Sequence, residues 1–273
     1  MHFYYLARDG ERGICMQPIL KTEDLTIRFG GQVAVDHVSC EIPEKHFKSI
    51  IGPNGAGKTT FFNLLSGELK PTEGEVYLRG EAITHLSSVD RARKGIGRSF
   101  QITNVFPNLT VLENVRLAIQ SREKIYFQMI RFFSSYKHII EEAEHILEQV
   151  LLIDKRDAIA SKLSHGEKRK LEIAMLLALD SEILLLDEPT AGMSLEEVPV
   201  ILDVIRSIKE TGEKTILLIE HKMDLILDLS DSIMVLFNGQ LLADGTPEEI
   251  MRNEMVENAY LGGLYRDDIA GNE

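Results

Sequence analysis

From Ile19 to Ile42 apolar and polar residues alternate, ILKTEDLTIRF and then QVAVDHVSCEI, with Gly30-Gly31 between them. A period of two puts one face of a strand on a core and the other toward water, so this stretch predicts two strands joined by a glycine turn. Phe47–Ile51 and Ile183–Leu186 are uninterrupted apolar runs. The first suits a buried strand, the second a parallel strand covered on both faces. Further strands are predicted within 74–80, at 95–100, along TILLIE (215–220) and at Ser232–Phe237, where Asn238-Gly239 turns the chain into QLLAD. Between Leu109 and Leu152 the period becomes helical, with Ile139, Ala143, Ile146, Leu147 and Val150 on one face. Helices are also predicted at Thr59–Ser66, after LSHGE, from about Leu195 to Lys209, at Met223–Leu229, and after Thr246-Pro247 by N-cap and N1 proline. Strands alternating with helices make the class α/β. Residues 1–18 and 263–273 fall outside the pattern and are expected to be loose extensions, with Met16 an alternative start.

Composition narrows this reading. A chain of 273 residues with 44% hydrophobic content can bury a large core. No apolar run reaches the roughly 18 residues that span a bilayer, so work at a membrane would need other chains to cross it. The first residues have neither a basic start nor an unbroken apolar core, unlike a signal peptide. Cys15 and Cys40 make no C-x-x-C pair, which suits a reducing compartment. A net charge of −13 disfavours broad nucleic-acid binding.

The densest chemistry is in GPNGAGKTT. Gly52, Gly57, Lys58 and Thr59 have the G-x-x-x-x-G-K-T spacing between a predicted strand and a predicted helix. That context aims backbone N–H groups and a helix dipole at an anion, so Gly52, Pro53, Asn54, Gly55, Ala56, Gly57, Lys58, Thr59 and Thr60 are expected to wrap the phosphates of a nucleoside triphosphate. Glycine is expected there because a Cβ would keep the backbone from the phosphate oxygens. Lys58 would reach the β- and γ-phosphates and the Thr59 hydroxyl would take a place on Mg²⁺. An acidic pair at the tip of a buried strand is costly unless a cation or a reaction uses it. Asp187 is therefore the natural Mg²⁺ partner and Glu188 the natural base for water. His221, at another strand tip, either senses a γ-phosphate or satisfies a loop carbonyl. The helix after LSHGE offers a second anion-ready N-terminus, capped by Ser164 and approached closely at Gly166. Two such ends and one nucleotide suggest head-to-tail pairing of two subunits that share sites.

GPNGAGKTT, Gln101, LSHGE, ILLLDEP and His221, in this order, resemble the ATPase subunits of ABC transporters over about residues 19–262. The resemblance implies a phosphate-loop core with an antiparallel edge subdomain and an inserted helical lobe at about 102–175. It implies that Phe29 stacks on adenine and that Gln101 joins Mg²⁺ and reports nucleotide state to a permease. Leu163, Ser164, His165, Gly166 and Glu167 would form a signature acting in trans, with Ser164 and Gly166 on the γ-phosphate held by the opposite subunit. The implied partners are a second ATPase subunit, identical or different, permease subunits, and indirectly an extracytoplasmic solute-binding protein. The implied place is the cytoplasmic face of the cell membrane. The signature departs from LSGGQ at His165 and Glu167, and Ser194 stands where aspartate is usual. With FGGQVAVDHVS and NAYLGG, these departures resemble the branched-chain amino-acid uptake ATPases, whose urea and short-amide relatives share LSHG and AGM. A lipopolysaccharide-export ATPase and a soluble ABC protein are the rival readings. Finally, 121–138 (SREKIYFQMIRFFSSYKH) carries a local charge of +3 among aromatics. It reads either as a surface for a permease or anionic headgroups, or as an ordinary helical hairpin.

Overall fold

The computed structural model describes residues 18–99, 105–125 and 137–261. The alternating stretch forms the antiparallel strands β1 (Leu20–Phe29) and β2 (Gln32–Ile42), with Phe29 opposite Gln32 across the turn. β3 (Phe47–Ile51) feeds a glycine loop and helix α1 (Lys58–Ser66). The chain then adds β4 (Glu73–Leu78), β5 (Glu81–Ala82), α2 (Ser88–Arg93) and β6 (Ile96–Arg98). Three helices follow, α3 (Val111–Arg122), α4 (Lys137–Gln149) and α5 (His165–Ala178). After them come β7 (Ile183–Asp187), α6 (Val198–Glu210), β8 (Thr215–Ile219) and α7 (Met223–Leu229). The chain continues with β9 (Ser232–Phe237), β10 (Gln240–Gly245) and α8 (Pro247–Met251), whose N-terminus Thr246 and Glu249 seal reciprocally. The described part ends in the short helix α9 (Glu254–Val256) and a π-helical turn, Glu257–Leu261.

Two sheets result. An antiparallel one runs β2-β1-β4-β5, and a six-stranded one runs β10-β9-β3-β8-β7-β6. In the larger sheet β9, β3, β8, β7 and β6 are mutually parallel, and only the edge strand β10 is antiparallel. Parallel strands must be covered on both faces, and the side-chain period of two divides the apolar runs between the two covers. Leu184 and Leu186 of β7, with Ile216 and Leu218 of β8, join a core built with α3, α4, α5 and α6. Ile183 and Leu185, with Leu217 and Ile219, face the other way onto Phe61, Phe62 and Leu65 of α1 and the antiparallel sheet. The segment expected as a helical lobe therefore shares one continuous core with the parallel sheet. Its inward face is the one read from periodicity: Ile139, Ala143, Ile146, Leu147 and Val150 are all buried.

One boundary differs from expectation. The helix predicted from about Leu195 starts at Val198, and Leu195 is 87% exposed. Residues 194–197 form a turn instead, closed by Glu197 N–H donating to the Ser194 carbonyl, 3.1 Å.

Within 121–138 only 121–125 and 137–138 are described. Arg122 is committed to its own subunit, donating to Glu142 at 2.7 Å and to the Ala178 carbonyl at 3.2 Å. Arg131 lies outside the described residues, as do Gln101, most of 1–18 and all of 263–273.

The burial of β2 generates a test. Cys40, on β2 opposite Thr22 of β1, is buried, and burial pushes its thiol up to about 11. At about pH 8 it stays protonated and sterically shielded, whereas an exposed thiol near its ordinary value is partly thiolate. Iodoacetamide should therefore leave Cys40 unmodified in the folded chain and label it readily in denaturant, as read by peptide mass mapping. Equal labelling rates in both conditions would refute this packing of the edge sheet.

Candidate functional site

Ile51 ends β3 at the C-terminal edge of the parallel sheet, and the loop that follows must turn back sharply to start α1 at Lys58. Two glycines make that turn sterically feasible. A Cβ on Gly52 (φ +153°) would lie 2.1 Å from the Leu236 carbonyl oxygen, and one on Gly57 (φ +95°) 2.4 Å from that of Ala34. The close approaches that exclude side chains at these two positions are thus to the chain's own strands β9 and β2. This packing requirement comes in addition to the clearance for phosphate expected from the sequence. Gly55 (φ +81°) borders open space. The loop is tied down by Ala56 N–H to the Pro53 carbonyl, 3.1 Å, and by Gly239 N–H to the Ala56 carbonyl, 3.1 Å.

Gly57 caps α1 without a side-chain bond, and Thr59 and Thr60 follow in the first turn, each half-buried. Lys58 is buried and folds across the loop, donating to the carbonyls of Gly52 (2.6 Å) and Pro53 (3.1 Å). Desolvation lowers its pKa, and the charges of Glu188 and Asp187 oppose that shift. Among the described residues this ammonium is hydrogen-bonded only to carbonyls and, beside a helix start without a side-chain cap, it is placed to receive an anion.

β7 ends beside this loop. Asp187 is fully buried; its Oδ2 accepts from Arg98 Nη2 at 3.2 Å, while its Oδ1 has no hydrogen-bond partner among the described residues. Burial raises the Asp187 pKa, and the Arg98 guanidinium pulls it back. An orphaned buried carboxylate oxygen costs free energy unless something occupies it, so this donor set fits a hard divalent cation. Arg98 also donates to Ser66 Oγ at 3.0 Å and to Asn63 Oδ1, so β6 and α1 hold it in place.

The next residue leaves the strand in a left-handed conformation, Glu188 at φ +45°. Such a geometry costs a non-glycine residue about 1–3 kcal/mol and persists only where the surroundings impose it. Here the Glu188 N–H is fixed to the Ile219 carbonyl at 2.9 Å. Its Oε1 lies 2.9 Å from His221 Nε2. His221 follows β8, and its N–H donates to Glu220 Oε2 at 2.9 Å. Glu220 is buried and also accepts from the Thr190 N–H (3.2 Å) and hydroxyl, tying the two strand ends together. Among the described residues the His221 ring is partnered by this carboxylate and by no loop carbonyl.

Arg169, one turn into α5, clamps the backbone of the same segment. It donates to the carbonyls of Asp187 (2.7 Å), Glu188 (3.1 Å) and Pro189 (3.3 Å) and pairs with Glu172 at 2.7 Å. At the start of α5, Ser164 and Glu167 form a reciprocal cap: Ser164 Oγ accepts from Glu167 N–H at 3.2 Å, and Glu167 Oε2 from Ser164 N–H at 2.9 Å. The departure at Glu167 thus supplies the second half of a capping box. Leu163 is buried before it, and the ring of His165 lies toward Gly192.

Lys58, Asp187, Glu188 and His221 come together. Among the described residues no hydrogen bond or ion pair joins 163–167 to 52–60. Phe29, at the tip of β1 before Gly30 (φ +59°), is 51% exposed. Gln101 lies outside the described residues. Sequence reasoning passed over Arg98, Arg169, Glu197 and Glu220. Arg98 and Glu220 carried a signal, each being a charged residue closing a strand. Arg169 and Glu197 look like ordinary surface charges in the sequence.

A family model described as ABC transporter matches residues 35–191, which span the glycine loop, 163–167 and the Asp187-Glu188 pair. The chain belongs to the ABC transporter family. It is 41% identical over 251 residues to a high-affinity branched-chain amino acid transport ATP-binding protein, LivG, of Salmonella typhimurium, covering 90% of this chain and 98% of the relative. It is 32% identical over 248 residues to the lipopolysaccharide export system ATP-binding protein LptB of Haemophilus influenzae, at 91% and 99% coverage. Among solved structures it resembles an ATP-binding cassette of an ABC transporter in its ADP conformation, with TM-score 0.75, 32% identity, and coverage of 89% of this chain and 98% of the other. A dimeric cassette in a post-hydrolysis state with ADP and Pi has TM-score 0.71 and 26% identity, at 84% and 98% coverage. The cassette is a nucleotide-binding ATPase of a transporter, built on the ABC ATPase fold.

Gly52→Ala should lower stability by about 1–3 kcal/mol, because a methyl group meets a backbone carbonyl of β9 that cannot move alone. Gly55→Ala, strained in backbone only, should cost about 1–2 kcal/mol at most. Denaturant midpoints at constant m-value measure both. A larger loss for Gly55→Ala would contradict the packing described.

Proposed function

We propose that this chain is the ATP-binding and hydrolysing subunit of an importer that drives uptake of branched-chain amino acids through separate permease subunits. The observation that carries the enzymatic part is the Glu188–His221 hydrogen bond, 2.9 Å, at the strand ends beside the Lys58 loop. The solute class rests on the 41% identity to the branched-chain transport ATP-binding protein over nearly its whole length, against 32% to the lipopolysaccharide-export protein.

In this reading the amides of 52–60 and the Lys58 ammonium bind the ATP phosphates, and Phe29 offers its exposed ring to adenine. Thr59, Asp187 and Gln101 would hold Mg²⁺, which supplies positive charge to the phosphates. Glu188 accepts a proton from water as the water oxygen bonds to the γ-phosphorus and the bond to the bridging oxygen of ADP breaks. His221 orients Glu188 through Nε2 and faces the phosphate that leaves. Arg169 fixes the backbone from which Glu188 projects, so the base does not wander. Ser164 and Gly166 would meet the γ-phosphate on a second ATPase subunit, a pairing supported by the dimeric relative. The helical lobe, about 102–175, would pass closure to permeases on the cytoplasmic face of the membrane, fed by an extracytoplasmic solute-binding protein. Among the described residues no helix is long and apolar enough to cross a membrane, which agrees with separate permease chains. The charge of −13 agrees with no nucleic-acid partner.

Glu188→Gln should keep ATP binding and cut phosphate release by roughly 10²–10⁴. Lys58→Ala should weaken binding itself. Nucleotide affinity and phosphate release, measured separately on each variant, distinguish the two roles, and near-normal turnover by Glu188→Gln would remove the glutamate from its role. Cells carrying Glu188→Gln should lose uptake of labelled leucine, isoleucine and valine but not of urea. Loss of urea uptake alone would reassign the solute.

A further inference from the structure

The start of α5 is not an empty anion seat in the isolated subunit. The side chain of Glu197, from the turn before α6, bends back over it. Glu197 Oε1 accepts from the Ser164 hydroxyl at 3.1 Å. A Cβ on Gly166 would lie only 2.9 Å from that oxygen and 3.1 Å from the carboxyl carbon, so the carboxylate rests directly on the signature glycine. Oε2 accepts from the Ser194 N–H and hydroxyl, both at 3.3 Å. These amide and hydroxyl contacts hold the carboxyl below its usual pKa range, the Ser194 amide first among them. Among the described residues Glu197 has no ion-pair partner. Its negative charge is met by hydroxyls, backbone N–H groups and a helix N-terminus, the donor set that would hold a phosphate oxygen.

We infer that Glu197 occupies, in the unpaired subunit, the position on the signature that the partner's nucleotide phosphate takes on closure, and so sets how much ATP the closed pair requires. This rests on the shared-site reading of Ser164 and Gly166. Two anions cannot share one hydroxyl and one glycine face without strong repulsion, so the carboxylate must swing away as the phosphate arrives. Glu197 is half-buried at the molecular surface, and its release breaks bonds from only two short segments. Ser194 lies within the same turn, so the displaced carboxylate can keep its Ser194 contacts while giving up Ser164. The lost contact and the repulsion both oppose closure. Neutralising Glu197 therefore favours the closed pair.

The test uses the full chain carrying Glu188→Gln, with and without Glu197→Gln, and titrates ATP while following dimer formation by sedimentation. Glutamine keeps an oxygen for the Ser164 hydroxyl and removes only the charge. The ATP concentration for half-dimerisation should fall about tenfold with Glu197→Gln. Affinity for a fluorescent ATP analogue at concentrations where the chain is monomeric should stay unchanged, because Lys58 and its loop are untouched. Glu197→Ala should shift dimerisation in the same direction. A merely structural role for Glu197 would raise the ATP requirement or leave it unchanged. Either result, with dimerisation by the Glu188→Gln protein intact, overturns the inference and leaves the shared site standing. If no nucleotide concentration pairs either protein, the shared-site reading and the inference fall together.

Discussion

The constraint on which the site depends is the cost of ending buried parallel strands in charge. β7 is buried along its length, yet it terminates in Asp187 with no exposed surface at all. A carboxylate there needs countercharge or a bound cation, and among the described residues Arg98 bonds one of its oxygens while the other has no hydrogen-bond partner. Arg98 in turn is anchored by Ser66 and Asn63, which fixes α1 against β6. Lys58 begins α1, so the carboxylate, its guanidinium and the phosphate-loop ammonium form one connected electrostatic unit. The same edge gathers Glu188, His221 and Glu220 because parallel strands place all their C-terminal ends on one side.

Much of this was legible in the sequence because the features involved are local. The glycine loop, the Asp-Glu pair after an apolar run, and the cap at Ser164 each lie within a few residues, where spacing and periodicity speak directly. The strand positions followed for the same reason, since continuous runs such as ILLL and TILLI leave little alternative in length or type. The start of α6 did not follow, because the competing signal was tertiary. Glu197 is pulled toward Ser164, more than thirty residues earlier, and the helix begins only after it. The three carbonyls held by Arg169 were equally invisible, since a backbone acceptor has no letter in the sequence. A second reason for glycine at positions 52 and 57 was hidden for a related cause. Spacing showed that side chains are excluded there, but the strands that exclude them, β9 and β2, come from distant parts of the chain.

Gln101 and the aromatic-basic stretch around Arg131 lie outside the described residues, so what the structure says about 121–138 comes from its ends. Arg122 contributed one of the four positive charges that made the stretch look like a docking surface, and it is consumed by Glu142 and the Ala178 carbonyl. Lys137 is likewise paired, with Glu141 at 3.1 Å, although that exposed pair contributes little to stability. A charge tally over a helix-rich segment overstates what is free to meet a partner, because a carboxylate one turn along, as for Lys137, or on a neighbouring helix, as for Arg122, takes up the charge.

α5 links the two halves of the proposed chemistry. Its first turn carries Ser164 and Gly166, while Arg169, five residues after Ser164, grips the carbonyls behind Asp187, Glu188 and Pro189. Less than two helical turns separate them, and a helix of that length moves as a rigid piece. Glu197 adds a second link, from Ser164 to the Ser194 turn that continues from the catalytic strand end. Whatever meets the signature from another subunit therefore acts on a body already fastened to this subunit's own base. With the shared site in place, each nucleotide would be held by one subunit's loop and sensed by the other's catalytic segment. Two nucleotides in such a pair would be coupled through α5 without any long-range rearrangement of the core. The shared core supports this, since α5 packs into the same cluster as Leu184 and Leu186 of β7. Displacing the helical lobe while leaving the catalytic strand fixed would open that cluster, a cost that close-packed interiors resist. If the proposed coupling holds, motion passed to a permease would therefore come from rotation of joined bodies.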